Sequence, residues 1–337
     1  MDSKATYKNA LSLFKLVAAL QVMYGHITTH LTIPTNAYID QVLGVFQGVP
    51  IFFTLSGFLI WLSIDRTAQA KKGYKYYLKK RFWRIYPELW VAVAVEIIVM
   101  CLLYRGWNVR DTALFTIAQA TIFQFWTPDS LRGYGCGTPN GALWTIGVTI
   151  QFYIIAWLLY KLLKDKKWHV WFSCFIGSVV ISILLEKVIS STGMEIVYKL
   201  YLQTVVRYLW MFLLGMAVAN FKDEIVPLCE KWWLLLLVTG GIFSISGFDL
   251  SAGYGVFKTV FVLLGIIGIS YRYPQLALKK DISYGIFIYH MTAVNAMITF
   301  GMTGKFIWFV VAAVISIILG YISTITIGDY CVRKRIA

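Results

Sequence analysis

Apolar blocks close to the length of a bilayer-crossing helix recur along the whole chain, separated by short polar punctuation. They run at residues 9–31, 43–64, 85–104, 112–126, 143–163, 168–189, 204–221, 232–247, 255–271, 281–300 and 306–328. Lipid offers no partner for backbone N–H and C=O groups, so a segment that crosses it must close its own hydrogen bonds, and repeated blocks of about 20 residues do so as helices. The composition agrees: 59% of the 337 residues are hydrophobic and 14% are charged, against about 25% charged in soluble domains. The expected fold is all-α, a polytopic integral membrane helical bundle.

The 112–126 block is short for a span and carries Thr112, Thr116, Gln119, Thr121 and Gln124. Basic loops stay cytoplasmic, so charge decides whether it crosses. If it does not, 22 of the 31 Lys and Arg fall on the inner side and eight on the outer, with Lys15 left in the first helix; if it does, the split is 16 to 14. The uneven split predicts about ten transmembrane helices, a half-inserted or interfacial segment at 112–126, and both termini cytoplasmic. The Gly- and Pro-containing stretch at 127–142 then lies outside. Irregular backbone at membrane depth needs protein or water around it, which makes this stretch a candidate site wall.

The net charge of +15 is spread between apolar blocks and forms no nucleic-acid-binding stripe. Cys101, Cys136, Cys174, Cys229 and Cys331 are odd in number and lack a Cys-x-x-Cys, so they suggest neither zinc nor a disulfide framework. The four histidines, His26, His30, His169 and His290, show no ligand spacing, and no metal is expected. The first block follows Lys4 and Lys8, as a signal peptide would, but Lys15 and His26 interrupt it, which predicts a retained helix. No linker composition divides the rest, so residues 1–337 are expected to form one membrane domain without an appended soluble domain.

Ionisable groups inside spans are costly and face the bundle interior, which makes them candidates for chemistry. The apolar blocks contain Lys15, His26, Glu96, Arg207 and His290. From Lys15 to His26 is a step of eleven residues, about 16 Å of helical rise and a rotation within about 20° of whole turns, so the two share a face. A cation near the cytoplasmic end and a titratable base deeper in suit an anionic molecule whose reactive end enters the membrane. Arg81 and Arg84 lie one helical turn apart in a basic cytoplasmic loop and can form a phosphate fork, although any inner loop is expected to be basic. Ser56 and Gly57 make a small spot in a bulky helix, where close helix packing is the simplest reading. Asn140 is placed to cap the helix that follows it, and Trp144 to anchor that helix at the interface.

Taken in order, these pieces resemble acyltransferase family 3, the bacterial membrane O-acyltransferases that acetylate cell-surface glycans. The resemblance rests on Lys15 and His26 with ten residues between them; on Phe52-Phe53-Thr54-Leu55-Ser56-Gly57-Phe58; and on Arg81-Phe82-Trp83-Arg84-Ile85-Tyr86-Pro87. It continues through Leu143-Trp144 to Gln151-Phe152-Tyr153, and Ile282-Ser283-Tyr284-Gly285 to His290. It covers nearly the whole chain. One departure stands out: Thr149 occupies the position where family members usually carry a carboxylate. If that acid assists the catalytic histidine, this chain is impaired, and Thr149→Glu is expected to raise its activity.

The resemblance implies a multi-pass protein of the bacterial inner membrane that transfers an acetyl group from cytoplasmic acetyl-CoA to a hydroxyl of a cell-surface glycan or lipid-linked sugar at the outer face. It implies no bound cofactor, acetyl-CoA being a co-substrate, and no nucleic-acid partner. It assigns catalysis to His26 and the position of Thr149, acyl-CoA binding to Lys15, Arg81 and Arg84, and the acceptor side or site wall to Ser56, Asn140, Trp144 and His290. The alternative is a proton-coupled transporter or lipid-linked sugar flippase whose buried charges line a pathway. Matching broken helices in inverted repeats would favour it, and the sequence shows none.

Overall fold

The computed structural model describes residues 9–331. Lys4, Lys8, Arg333, Lys334 and Arg335, with the sidedness of the two termini, therefore lie outside the described residues. Thirteen α-helices follow in order among the described residues: α1 (Leu11–His30), α2 (Ala37–Val45), α3 (Gly48–Gln69), α4 (Tyr74–Leu103), α5 (Val109–Ala120), α6 (Trp144–Leu163), α7 (Trp168–Ser191), α8 (Glu195–Tyr201), α9 (Val205–Asn220), α10 (Lys222–Ser246), α11 (Val256–Arg272), α12 (Ser283–Thr299) and α13 (Phe306–Ser323). The fold is all-α and polytopic. Eight helical stretches are long and apolar enough to cross a bilayer; α11 and α12, at 17 residues each, stand at the lower end of the usual span length.

Large apolar side chains point outward along these helices, among them Leu184, Leu234, Leu235 and Ile318, each more than half exposed. Such a surface would drive aggregation in water and is the expected exterior of a protein dissolved in lipid.

The chain groups into two compact units, neither contiguous in sequence. The first takes the chain to Ala18, Tyr38–Ser63 and Leu158–Asp281; the second takes Ala19–Ala37, Ile64–Trp157 and the chain from Ile282. In the first unit α10 packs along α11, and α7 against α9. The small residues expected to allow close packing do so there. A Cβ on Gly57 of α3 would lie 2.1 Å from the Phe212 carbonyl oxygen of α9, and one on Gly215 of α9 would lie 1.9 Å from that of Thr54. Two glycines thus let these backbones touch, and the seam tolerates no side chain at either position.

The second unit is built on α12, which packs against α13 and α4. The α5 helix has 12 residues, about 18 Å of rise, too little to cross a bilayer, as its polar composition led one to expect. The Asn108 side chain caps it by accepting from the Asp111 N–H. Hydrogen bonds from the Ser130 hydroxyl and the Asn108 amide hold the Asp111 carboxyl below its usual range. Met100, Phe115, Leu131 and Tyr134 form one buried cluster that fastens α5 and the following irregular stretch to the end of α4.

The basic segment at 77–87 is not a loop. It is the first part of α4, a 30-residue helix that runs through Pro87. Proline lacks an N–H and normally breaks a helix, but aromatic side chains brace this one: Phe82 stacks on Tyr86 at 4.9 Å, and Trp90 lies 5.6 Å from Phe82.

Candidate active site

The second unit gathers most of the residues singled out from the sequence. At the start of α4, Arg81 and Arg84 lie one turn apart on a continuous helix, both partly buried. The Arg81 guanidinium lies over the Tyr77 and Tyr153 rings, 5.4 and 5.5 Å from their centres. Stacking of this kind orients a planar guanidinium without using up its donors.

Tyr284, near the start of α12, donates its hydroxyl to the Ile85 carbonyl at 3.0 Å, which fixes α12 beside the arginine pair. Six residues further along α12, about 9 Å of rise, His290 is fully buried. Its Nε2 stands 2.7 Å from Nδ1 of His26 on α1, with the rings 16° from parallel and their centroids 5.0 Å apart, so that they meet edge to edge. His30, one turn further along α1, lies 5.8 Å from the His26 ring.

The irregular stretch at 127–142 is tied to α12 on both sides of His290. The Asn140 amide donates to the Ile288 carbonyl at 3.0 Å, the Asn295 amide donates to the Thr138 carbonyl at 3.0 Å, and Asn295 Oδ1 accepts from the Cys136 N–H at 2.8 Å. Asn140 therefore does not cap the helix after it: it precedes a single 3₁₀ turn at Gly141–Leu143 and makes no side-chain cap. A buried amide in lipid gains more from a tertiary partner than from a helix end that water can satisfy. Trp144 is the first residue of α6 and is partly buried.

Glu96 of α4 is buried, with the neutral side chains of Asn140 and Tyr134 beside it. Glu88, one residue after Pro87, is also buried and accepts from the Ser323 hydroxyl at 3.2 Å.

Thr149 is partly buried on α6, and its hydroxyl donates to the Thr145 carbonyl of its own helix at 2.8 Å. In the first unit, Lys15 forms an ion pair with Asp281, and Ser56 is partly buried on α3 beside the Gly57 seam. Among the described residues no three His, Cys, Asp or Glu side chains are grouped to hold a metal.

An imidazole pair on two helices, partly buried at His26 and fully buried at His290, thus shares a unit with an arginine pair. The family model described as an acyltransferase domain matches residues 8–325. The chain belongs to acyltransferase family 3. It is 27% identical to a protein named nodulation protein 10 from Rhizobium leguminosarum bv. viciae, over 99% of this chain and 96% of that one. It is 24% identical to a protein named O-acetyl transferase from Shigella phage Sf6, over 94% and 93%. No solved structure matches.

As a member of acyltransferase family 3, this is a multi-pass membrane acyltransferase. Several family-motif residues have structural jobs that spacing alone did not reveal. Tyr284 latches α12 to α4. Gly285 lets α12 meet α13, since a Cβ there would lie 2.4 Å from the Gly320 carbonyl oxygen. Asn295 and Asp281 went unnoticed in the sequence. A lone Asn inside the 281–300 apolar block was the available signal for the first, because a polar side chain in a span needs a partner.

Proposed function

We propose that this acyltransferase moves an acetyl group from acetyl-CoA to a hydroxyl of a cell-surface glycan or lipid-linked sugar at the bacterial inner membrane. The observation that carries the reading is the His26–His290 pair, a titratable base held in the interior of a family 3 chain. The relative named O-acetyl transferase supports the choice of acetyl and of an oxygen acceptor.

Arg81 and Arg84 bind the CoA phosphates from the cytoplasmic side, with charge-assisted hydrogen bonds that a lysine cannot reproduce in fork geometry. Lys15 reaches an anion only by sharing or leaving Asp281. His26 takes the proton from the acceptor hydroxyl as its oxygen attacks the thioester carbonyl carbon. The tetrahedral intermediate expels the CoA thiolate, which receives that proton from His26. The products are the ester and free CoA, and the histidine returns neutral. Asn140, Trp144 and the stretch at 127–142 shape the acceptor side.

The test uses labelled acetyl-CoA and membranes carrying the full chain. His26→Ala is expected to lower transfer by about 10²- to 10⁴-fold with acetyl-CoA binding preserved. Arg81→Lys and Arg84→Lys are expected to weaken binding by roughly tenfold each. Labelled product formed at an undiminished rate by His26→Ala membranes would remove the base assignment. Transport of acceptor without covalent label in any product would return the protein to the transporter class.

A further inference from the structure

We infer that His290 sets the tautomer of His26 and so performs, with a neutral ring, the orienting task for which family members usually carry a carboxylate at the position of Thr149. This rests on His26 being the base. The geometry fixes the protons in sequence. His290 Nδ1 lies 3.2 Å from the Ile286 carbonyl oxygen, one turn back on α12. A carbonyl only accepts, so Nδ1 of His290 carries the hydrogen and its Nε2 carries a lone pair. That lone pair faces His26 Nδ1 at 2.7 Å, so the hydrogen of His26 is on Nδ1. The lone pair of His26 is thereby placed on Nε2, the nitrogen turned away from His290 and available to a substrate.

Flipping the His290 ring would put carbon where each nitrogen now stands and lose both contacts, so the two hydrogen bonds support one ring orientation. Full burial of His290 and the near-coplanar, edge-to-edge setting of the two rings hold the pair in register, and the Asn140 and Asn295 ties brace α12 on either side. When His26 takes a proton on Nε2, its Nδ1–H remains donated to a neutral acceptor, and the positive charge is shared across a short hydrogen bond. A carboxylate would do this through opposite charge, but would stand as a buried anion in the resting site. An imidazole partner needs no counter-charge.

Nitrogen NMR of histidine-labelled full-length protein in nanodiscs tests this directly, and four histidines keep assignment by substitution practical. The unaltered chain is expected to show His26 protonated on Nδ1, the form that a free histidine side chain disfavours. His290→Phe is expected to shift His26 toward the Nε2-protonated form. Finding Nε2-protonated His26 in the unaltered chain, or the same tautomer in His290→Phe, overturns the inference whether or not the acetyl-transfer reading holds.

Kinetics supply the second arm. Gln at 290 sets an amide oxygen near the place of Nε2, whereas Asn reaches only the place of Nδ1. His290→Gln is expected to keep kcat within about fivefold. His290→Phe and His290→Asn are expected to lose roughly 30-fold or more, at unchanged KM for acetyl-CoA. Equal losses in the Gln and Asn variants, both folded, would reduce His290 to a packing residue. An unaltered chain that transfers no acetyl group fails the proposed function, and the tautomer measurement still stands.

Discussion

The two units treat buried charge differently. In the first, a cation in the apolar interior is matched by an anion: Lys15 by Asp281 and Arg207 by Glu186, whose Nη1 and Oε1 stand 3.0 Å apart. Arg207 is also flanked by the Tyr201 and Tyr208 rings at 5.7 and 5.8 Å, and its backbone carbonyl accepts from the Ser182 hydroxyl. In the second, His26 is held by another imidazole, and Glu96 lies beside the neutral side chains of Asn140 and Tyr134. A matched pair lowers the energy of an ionised state and locks it. An unmatched group keeps its protonation free to change, which is what proton transfer requires. The first arrangement reads as architecture and the second as chemistry.

The comparison breaks first at Arg207. Arg207→Met leaves the partly buried Glu186 carboxylate with only the Tyr198 hydroxyl of the two contacts, and the expected loss is about 1 to 3 kcal/mol of stability. Adding Glu186→Met should recover most of it. Acetyl transfer per folded molecule should stay near that of the unaltered protein in the double variant. Thermal unfolding in nanodiscs, with transfer measured on the folded fraction, decides. A double variant that is stable yet inactive would make Arg207 part of the chemistry and collapse the distinction between the units.

Glu96 offers a smaller effect of opposite kind. Its neighbours Asn140 and Tyr134 are neutral, so Glu96→Gln removes an ionisable group without stranding a charge. Stability should change by less than about 1 kcal/mol or rise. A loss as large as that of Arg207→Met would mean that Glu96 has a counter-charge in the working protein and that the units do not differ as described.

Much of this was legible in the sequence because lipid enforces simple rules. Block lengths pointed to a polytopic helical fold, eight of whose described stretches are long and apolar enough to cross, and the polar, 12-residue α5 proved too short. Positions within a helix were also legible, since a three-residue spacing puts Arg81 and Arg84 one turn apart whether or not the segment is seen as helical. The pairings were not. His290 was expected as a wall residue, and only the packing of α12 shows that it meets His26, 264 positions away. Asp281 and Glu88 each sit near the edge of an apolar block, and nothing in their spacing points to Lys15 or Ser323. Asn140 looked like a cap because a cap is the nearest local job for an Asn before a helix; its actual partner, Ile288, lies 148 positions later. Local chemistry can be read from spacing, and long-range hydrogen bonds cannot.

The finest test concerns Thr149. From the family pattern alone, restoring a carboxylate by Thr149→Glu is expected to raise transfer. With His290 already accepting the His26 Nδ1–H, an added acid finds that hydrogen taken. It would replace a threonine whose hydroxyl is satisfied by Thr145 with a carboxyl that must be desolvated. The expected change in transfer is then less than about threefold, under roughly 0.7 kcal/mol in the barrier, with acetyl-CoA binding unaltered. In a His290→Phe background the acceptor is missing, and there Thr149→Glu should recover a measurable part of the lost rate, because a carboxylate can hold an imidazolium where phenylalanine cannot. Rates for the four combinations of these two positions, each checked for folding, give the coupling between them. Rescue confined to the His290→Phe background would mean that a histidine and a carboxylate are two answers to the same need. A gain of tenfold or more in the otherwise unaltered chain would mean that His290 leaves His26 underserved, and that the second unit lacks a counter-charge by loss and not by design.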